Sequence, residues 1–302
     1  MRLRQIQDFL AVIEEGSIHA AARKTGLSQP AVTKSLRGLE AELHTQLVQR
    51  TNHGVVATPA GRAFYVRARA AHSELRKAEE EIAQLAGQGG GSVALGVGMV
   101  AALLIVPEAV IRFNQQNPAT TARIIEGRPT TLLPMMRDGT LDFVVGPKFD
   151  AKLDPAFTFR PLFREEFIVV GRKNHPLRNA GSIKRLGAVT WMGRMWNASM
   201  PSEPVSRLFA AAGMPPPQLI AQCDSYNVSL SVLSKSDALG ILGRRFLASA
   251  PARDLLQEIV IAEAIPTVTV GMFMRKDPPL TPVAAAMAKI VTAVARQLAA
   301  TR

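Results

Sequence analysis

The chain has 302 residues, 47% of them apolar, with a net charge of +12 and a single cysteine. This length and apolar content predict a globular protein of more than one domain. The lone Cys223 excludes an intrachain disulfide and favours a cytoplasmic location. We expect no membrane span and no signal peptide, because the apolar runs are short and the first residues lack an apolar core. The positive charge favours an anionic partner, and nucleic acid is the first candidate.

The first predicted elements are three helices, of which the second and third are short. Ser17 is expected to cap the second helix, which ends at a turn containing Gly26, a residue free to take a positive φ. Ser28 is expected to cap the third helix. The third helix has an apolar face at helical spacing, formed by Val32, Leu36, Leu39 and Leu43. This is a helix-turn-helix, whose second short helix can enter the major groove of DNA.

Residues 47–57 predict a β-hairpin directly after these helices. Two short extended runs, 47–50 and 55–57, flank a turn rich in Asn and Gly. A hairpin in this position is a wing. Thr58 then caps the next helix, and Pro59 begins it.

Residues 1–65 also carry a set of motif residues in one register. These are Phe9, Gly16-Ser17, Ala21-Ala22, Leu27-Ser28-Gln29-Pro30-Ala31-Val32-Thr33, Leu39-Glu40, Leu43, Leu47, Arg50 and Thr58-Pro59-Ala60-Gly61. With these residues, the segment resembles the winged helix-turn-helix of LysR-type bacterial transcriptional regulators. The chain departs from the family pattern at His44-Thr45, Val48 and Asn52-His53. The resemblance implies a regulator that binds double-stranded DNA at a pseudo-palindromic promoter site as a homodimer or homotetramer, responds to a small-molecule effector and has no membrane partner.

The polar face of the third helix and the wing supply the candidate contacts to DNA. A glutamine at position 29 can pair with adenine, and a lysine at position 34 can pair with guanine. The candidate DNA-binding residues are Ser28, Gln29, Pro30, Thr33, Lys34, Arg37, Arg50, Asn52 and His53.

Residues 59 to about 88 predict one long helix with a narrow apolar stripe. The stripe follows a heptad spacing, which is typical of a seam between two helices, so we expect it to dimerise. The alternative is a helix that lies on its own domain. The stripe consists of Phe64, Ala68, Ala71, Leu75, Ala78, Ile82 and Leu85.

The glycine-rich run 87–92 is a linker. The units are therefore 1–58 (winged helix-turn-helix), 59–88 (dimerisation helix) and 89–302.

Residues 92–302 alternate strand and helix patterns, which predicts an α/β fold with parallel sheets covered on both faces. This half resembles the effector domain of the same family, which is like a periplasmic binding protein. The resemblance implies two lobes, residues 92–161 with 267–302 and residues 162–266, joined by hinges near Phe163 and Ile265. The residues that carry this resemblance are Asn117-Pro118, Glu126-Gly127, Asp138-Gly139-Thr140-Leu141-Asp142-Phe143, His175-Pro176-Leu177 and Gly240-Ile241.

One pattern favours a different function. The strand at 93–97 leads into Gly96-x-Gly98-x-x-Ala101, and Glu126 follows the next strand, as in a dinucleotide-binding fingerprint. The alternative hypothesis is therefore a cytoplasmic dinucleotide-binding oxidoreductase-like domain fused to a DNA-binding domain. We find no nucleophile elbow and no histidine with metal-ligand spacing. We expect no cofactor, no metal, no catalytic residues and no enzymatic activity.

The effector cleft is predicted from topology, because ligands of open α/β sheets bind beyond the carboxyl ends of strands and against helix N-termini. Arg128 is the best candidate to bind a carboxylate or sulfonate, although it could instead pair with a neighbouring acid. Trp191 and Trp196 could stack on an aromatic effector or belong to the core. The candidate effector-binding residues are Gly98, Met99, Val100, Arg128, Pro129, Thr130, Gly146, Pro147, Met192, Gly193, Asp224 and Ser225.

Overall fold

Three helices and a hairpin form the N-terminal unit, here called the reader, in a computed structural model that describes residues 1–52, 54–86, 90–148, 153–193, 204–249 and 251–300. The predicted caps are confirmed, since the Oγ atoms of Ser17 and Ser28 accept from the N–H groups of Ala20 and Ala31. Gly26 ends the second helix at a φ of 68°. The elements are α1 (Leu3–Glu15), α2 (Ile18–Thr25), α3 (Gln29–Glu42), β1 (Val48–Thr51) and β2 (Gly54–Ala57), with β1 antiparallel to β2.

A long helix, α4 (Pro59–Leu85), leaves the reader and is packed tightly against it at its start. Thr58 caps this helix by accepting from the N–H of Gly61, as predicted. A Cβ at Gly61 would lie 1.9 Å from the carbonyl oxygen of Leu47, so only glycine fits where the helix passes the wing. The ring of Phe64 stacks edge-on against Phe9 of α1, with centroids 5.3 Å apart. The first turns of α4 therefore belong to the reader core.

The remaining elements form an α/β domain, here called the effector domain. They are, in chain order, β3 (Ser92–Val97), α5 (Met99–Leu104), α6 (Val106–Gln116), β4 (Thr121–Glu126), α7 (Pro129–Arg137), β5 (Phe143–Lys148), β6 (Phe157–Glu165), β7 (Phe167–Arg172), β8 (Trp191–Gly193), α8 (Pro204–Ala211), β9 (Leu219–Gln222), α9 (Tyr226–Lys235), β10 (Gly240–Gly243), α10 (Arg244–Leu247), α11 (Ala252–Leu255), β11 (Leu256–Glu258), β12 (Val268–Arg275) and α12 (Pro282–Ala300).

The strands form two separate sheet systems, which define lobe I and lobe II. Lobe I is a five-stranded sheet of order β4-β3-β5-β12-β6, and lobe II contains the sheets β10-β7-β11 and β8-β9. The expected parallel pairing is present in both lobes but does not extend to every strand. β3 is parallel to β4 and β5, but β12 is antiparallel to β5 and β6, and β7 is antiparallel to both of its neighbours. In lobe I, β6 leads the chain out to lobe II and β12 brings it back, so these two adjacent strands run in opposite directions.

The division of the chain between the sheets differs from the expected one by a few residues. β6 continues to Glu165, which pairs with Val268, so residues 162–165 belong to the sheet of lobe I and not to lobe II. Two helices, α5 and α6, follow β3 directly one after the other, with Pro107 in the first turn of the second. The strand β8 has only three residues and begins at Trp191.

The last helix, α12, is the one described helix that is long and apolar enough to cross a membrane by length and composition alone. It packs against α6, β3 and β6. Its buried side chains include Val283, Met287, Val291 and Val294, which join the core cluster of lobe I. It therefore serves as a core helix of this domain.

Candidate DNA interface and effector cleft

The polar face of α3 forms a shallow concave surface of about 420 Å³. Five of the predicted DNA-binding residues line it, namely Gln29, Pro30, Thr33, Lys34 and Arg37. All but the half-buried Thr33 are exposed, and Ser28 is exposed while its hydroxyl caps the helix. The opposite face of the helix buries its apolar residues in the reader core. The fold therefore presents amide, hydroxyl and cationic groups together on one side of α3.

A residue that sequence reasoning missed touches this surface. The Nε2 atom of Gln29 contacts the Nδ1 atom of His19, which lies in the first turn of α2. Both side chains are exposed. The helix-turn-helix brings the first turns of its two helices together. The position of His19 in the first turn of α2 could therefore have indicated this contact from the sequence. His19 is therefore placed to orient the Gln29 amide.

The wing is tied to α3 by one carboxylate. Glu40 Oε1 accepts from the N–H groups of Leu47 at 2.8 Å and Val48 at 3.2 Å. Arg50 and Asn52 are exposed on the hairpin. The predicted His53 lies outside the described residues.

The predicted heptad stripe of α4 divides into two parts. Phe64 and Ala68 pack into the reader core. The later members, Ala71, Leu75, Ala78, Ile82 and Leu85, are exposed, and the side chain of Ile82 is 68% accessible. Within the described part of a single chain, no apolar surface covers this exposed seam.

The opposite face of α4 docks on the effector domain through buried polar groups. Lys77 Nζ lies 2.6 Å from Asp142 Oδ1, and the two side chains are only 9% and 8% accessible. The other oxygen of Asp142 accepts from the N–H of Ala94 at 2.8 Å. One turn earlier on the helix, the Ser73 hydroxyl donates to the carbonyl of Gly139 at 2.7 Å. The loop between α7 and β5 is thus the docking site of the long helix.

Arg69 joins three parts of the molecule. Its Nη1 lies 3.2 Å from Glu14 Oε1 in α1 of the reader. Its Nε donates to the hydroxyl of Thr140 in the α7–β5 loop at 3.0 Å. Glu74, on the same helix, pairs with Arg275 at the end of β12 at 2.6 Å. The reader and the effector domain therefore meet along one polar row of α4.

The carboxyl ends of the central strands of lobe I meet at the other end of the sheet. The N–H of Gly98 donates to the carbonyl of Val145 at 2.8 Å. A Cβ at Gly98 would lie 3.2 Å from Pro147, and a Cβ at Gly146 would lie 3.9 Å from Pro129. These predicted cleft residues are brought together by close backbone approach.

The two lobes are joined across the cleft by an ion pair. Arg128, at the N-cap of α7 in lobe I, places its Nη2 2.9 Å from Oδ2 of Asp224 in lobe II, between β9 and α9. Each side chain is about one third accessible. Arg128 thus faces an acid, as in the alternative left open by the sequence, and that acid is itself a predicted cleft residue.

A small cavity of about 20 Å³ lies beside this ion pair. Among the predicted residues, Met99, Met192, Gly193 and Asp224 line it. Sequence reasoning missed Cys223 and Tyr226, which line it from the same loop and the first turn of α9. A cavity of this size holds about one water. A larger ligand therefore enters only if the lobes move.

The other predicted cleft residues have different surroundings. Val100 packs against the core cluster of lobe I, and Thr130 is exposed on the first turn of α7. The Ser225 hydroxyl accepts from the N–H of Val228 and caps α9. Trp191 is fully buried and stacks edge-on against Phe209, so it is a core residue, whereas Trp196 lies outside the described residues. Within the described residues, no cluster of three potential metal-ligating side chains occurs.

These features define the class of protein: a winged helix-turn-helix DNA-binding unit joined by a long helix to a two-lobed effector domain. Two family models match the chain. "Bacterial regulatory helix-turn-helix protein, lysR family" matches residues 3–62, and "LysR substrate binding domain" matches residues 86–296. The chain belongs to the LysR family of DNA-binding transcriptional regulators.

Similar proteins share nearly the whole chain. The HTH-type transcriptional regulator GbpR of Azospirillum brasilense is 28% identical over 285 residues, which cover 93% of this chain and 83% of that one. PcaQ of Agrobacterium fabrum is 28% identical over 283 residues, covering 92% and 89%. The crystal structure of CbnR, a LysR family transcriptional regulator, superposes with a TM-score of 0.70 at 22% identity, covering 98% and 99% of the two chains.

Proposed function

We propose that this regulator binds a pseudo-palindromic promoter site in the cytoplasm as a homodimer or homotetramer. The proposal rests on the exposed seam of α4, because an apolar stripe at heptad spacing is stabilised by a second helix. Two readers held by one seam match a two-fold symmetric DNA site. The functional units are residues 1–58, 59–88 and 89–302.

We propose that Gln29 and Lys34 read bases, while Arg37 and the wing residues Arg50, Asn52 and His53 bind the backbone or the minor groove. The supporting observation is the shared concave surface of Gln29, Pro30, Thr33, Lys34 and Arg37. Amide and ammonium groups on a recognition helix pair with base edges, whereas guanidinium groups near the helix also bind phosphates.

The effector that modulates promoter binding is proposed to be a small anionic, aromatic-acid-like molecule held between the lobes. The observation that carries this proposal is the position of Arg128, which reaches from lobe I to lobe II at the carboxyl end of the sheet. A guanidinium binds a carboxylate bidentately. The first turn of α7, with Thr130, adds main-chain N–H groups and a helix dipole that favour an anion.

A route from this cleft to the DNA follows from α7. Its first turn lies in the cleft beside Arg128, and its last turn leads into Gly139 and Thr140, which bond Ser73 and Arg69 of α4. A ligand that prefers one lobe angle shifts the population of that angle. Movement of α7 would then shift α4, and with it the reader.

The test replaces Arg128 with Ala and with Lys, and measures effector binding by calorimetry after a thermal-shift screen of aromatic and aliphatic acids. Arg128→Ala should lose the ligand response. Arg128→Lys keeps the charge without the bidentate fork and should bind with intermediate affinity. Wild-type affinity in Arg128→Ala would contradict the assignment.

The oxidoreductase alternative has no specific observation in its favour. A Cβ at Gly96 would lie 2.8 Å from Leu141 and 3.0 Å from Val144, so packing accounts for this glycine. The helix after Gly98 has only six residues.

A further inference from the structure

The ion pair across the cleft presents two opposite charges to whatever enters between the lobes. Arg128 supplies a guanidinium from lobe I, and Asp224 supplies a carboxylate from lobe II, 2.9 Å apart. A ligand with only a carboxylate must displace Asp224 from Arg128. Asp224 would then face a second negative charge at close range in a half-buried site, which is unfavourable.

Two buried polar atoms beside this pair have no hydrogen-bond partner among the described residues. One is Oδ1 of Asp224, and the other is the hydroxyl of Tyr226. Both residues line the same cavity. Buried polar groups are normally hydrogen-bonded, so this side of the cleft is chemically suited to a ligand that carries N–H or O–H donors.

Most of the remaining cavity wall is apolar, although the side chain of Ser229 also lines it. It is formed by methionine and aliphatic side chains, with Met99 from lobe I and the others from lobe II. The apolar lining consists of Met99, Met192, Leu233, Ile241 and Leu242. A ligand in this place needs an apolar body next to its charged groups.

We propose that the effector is an apolar α-amino acid, with its carboxylate on Arg128 and its ammonium on Asp224 and the Tyr226 hydroxyl. This inference rests on the proposed function, from which it takes the cleft and the carboxylate on Arg128, and it replaces the purely anionic effector with a zwitterion. The carboxylate and the ammonium are attached to the same carbon atom. When the lobes separate, both groups therefore fit between Arg128 and Asp224, which contact each other in this structure. Each charge of the ligand replaces the partner that it displaces. The ligand contacts both lobes, and it therefore selects one angle between them.

The experiment is calorimetry of the full chain with phenylalanine, leucine and methionine. For each amino acid, the 2-hydroxy acid and the deaminated acid are matched controls that keep the carboxylate and the side chain. At least one amino acid should bind at least tenfold more tightly than both of its analogues. Asp224→Asn should remove that preference. Tyr226→Phe keeps the ring that stacks on Phe246 and should weaken binding of the amino acid but not of the deaminated acid.

Three results would overturn the inference: none of the three amino acids binds, a deaminated acid binds as tightly as its amino acid, or a hydroxy acid does. If acids bind and Arg128→Ala abolishes their binding, the proposed function stands and only the amino-acid assignment fails. If neither series binds, the amino-acid assignment fails, and the proposed function fails as well if the screen of aromatic and aliphatic acids finds no ligand. If circular dichroism shows that Asp224→Asn does not fold, the ligand series on wild type and the measurement on Tyr226→Phe still test the amino-acid assignment.

Discussion

The buried ion pair between Lys77 and Asp142 should hold the long helix on the effector domain, and its removal should be costly. Both side chains are more than nine-tenths buried and their charged atoms are 2.6 Å apart. Removing one partner of a buried pair costs about 3–5 kcal/mol, because the other charge is left uncompensated. Asp142 retains the N–H of Ala94 as a donor, so we expect the lower end, about 3 kcal/mol, for Lys77→Met.

A double-mutant cycle measures this interaction. Lys77→Met, Asp142→Asn and the double variant are unfolded in urea and followed by tryptophan fluorescence, which reports the effector domain because Trp191 and Trp196 both lie there. The double variant should be more stable than the sum of the single changes by about 2 kcal/mol. The exposed pair Glu108–Arg112 is the control, with a coupling of about 0.5 kcal/mol or less. Equal couplings at the two pairs would refute the reasoning.

Three further predictions concern the reader, the seam and the hinge. Gln29→Ala should cost about 1–3 kcal/mol of specific DNA binding in a titration while non-specific binding persists; an equal loss of both would exclude base reading. Ile82→Glu should disrupt the oligomer in light scattering by placing a charge in the seam, whereas Glu79→Lys, off the seam, should not. Burial raises the pKa of Glu165 above 4.5, although Arg245 opposes this shift. Glu165 therefore contributes stability that is lost as the pH rises through the raised pKa. The free energy of unfolding of wild type, minus that of Glu165→Gln, should fall as the pH rises from the ordinary pKa of a glutamate to the raised one. A difference that does not change with pH would contradict the raised pKa.

The reader could be predicted from the sequence because its signals are local. Ser17, Gly26, Ser28 and Thr58 cap or end helices within four residues of the groups that they bond. Such short-range bonds depend little on the rest of the fold. The polar face of α3 followed from the same helical periodicity, which is why its predicted residues share one surface.

The strand β6 has no clear sequence pattern, because Pro161 interrupts it. Proline is tolerated there since β6 is the edge strand of its sheet, where a missing N–H costs no ladder bond. The register also shifts between Val270 and Gly271 opposite this proline. Edge position is a property of the sheet and cannot be read from the strand alone.

The long-range contacts of the site had no sequence signal. Arg128 and Asp224 lie on different lobes, and Lys77 and Asp142 lie on different domains. Topology predicted that the cleft forms at strand ends, but the side-chain partners depend on how the lobes and α4 dock. The apolar stripe of α4 indicated a partner, whereas its polar docking face looked like an ordinary solvated surface.

The most direct test of the account is a footprint of the full chain, with and without bound effector, on a DNA site selected from a random library. Two protected half-sites related by two-fold symmetry are expected, one helical turn or a multiple of it apart. The protection pattern should change at saturating effector in wild type and stay constant in Arg128→Ala. A single unpaired protected site, or an unchanged footprint when calorimetry shows the effector bound, would contradict the account.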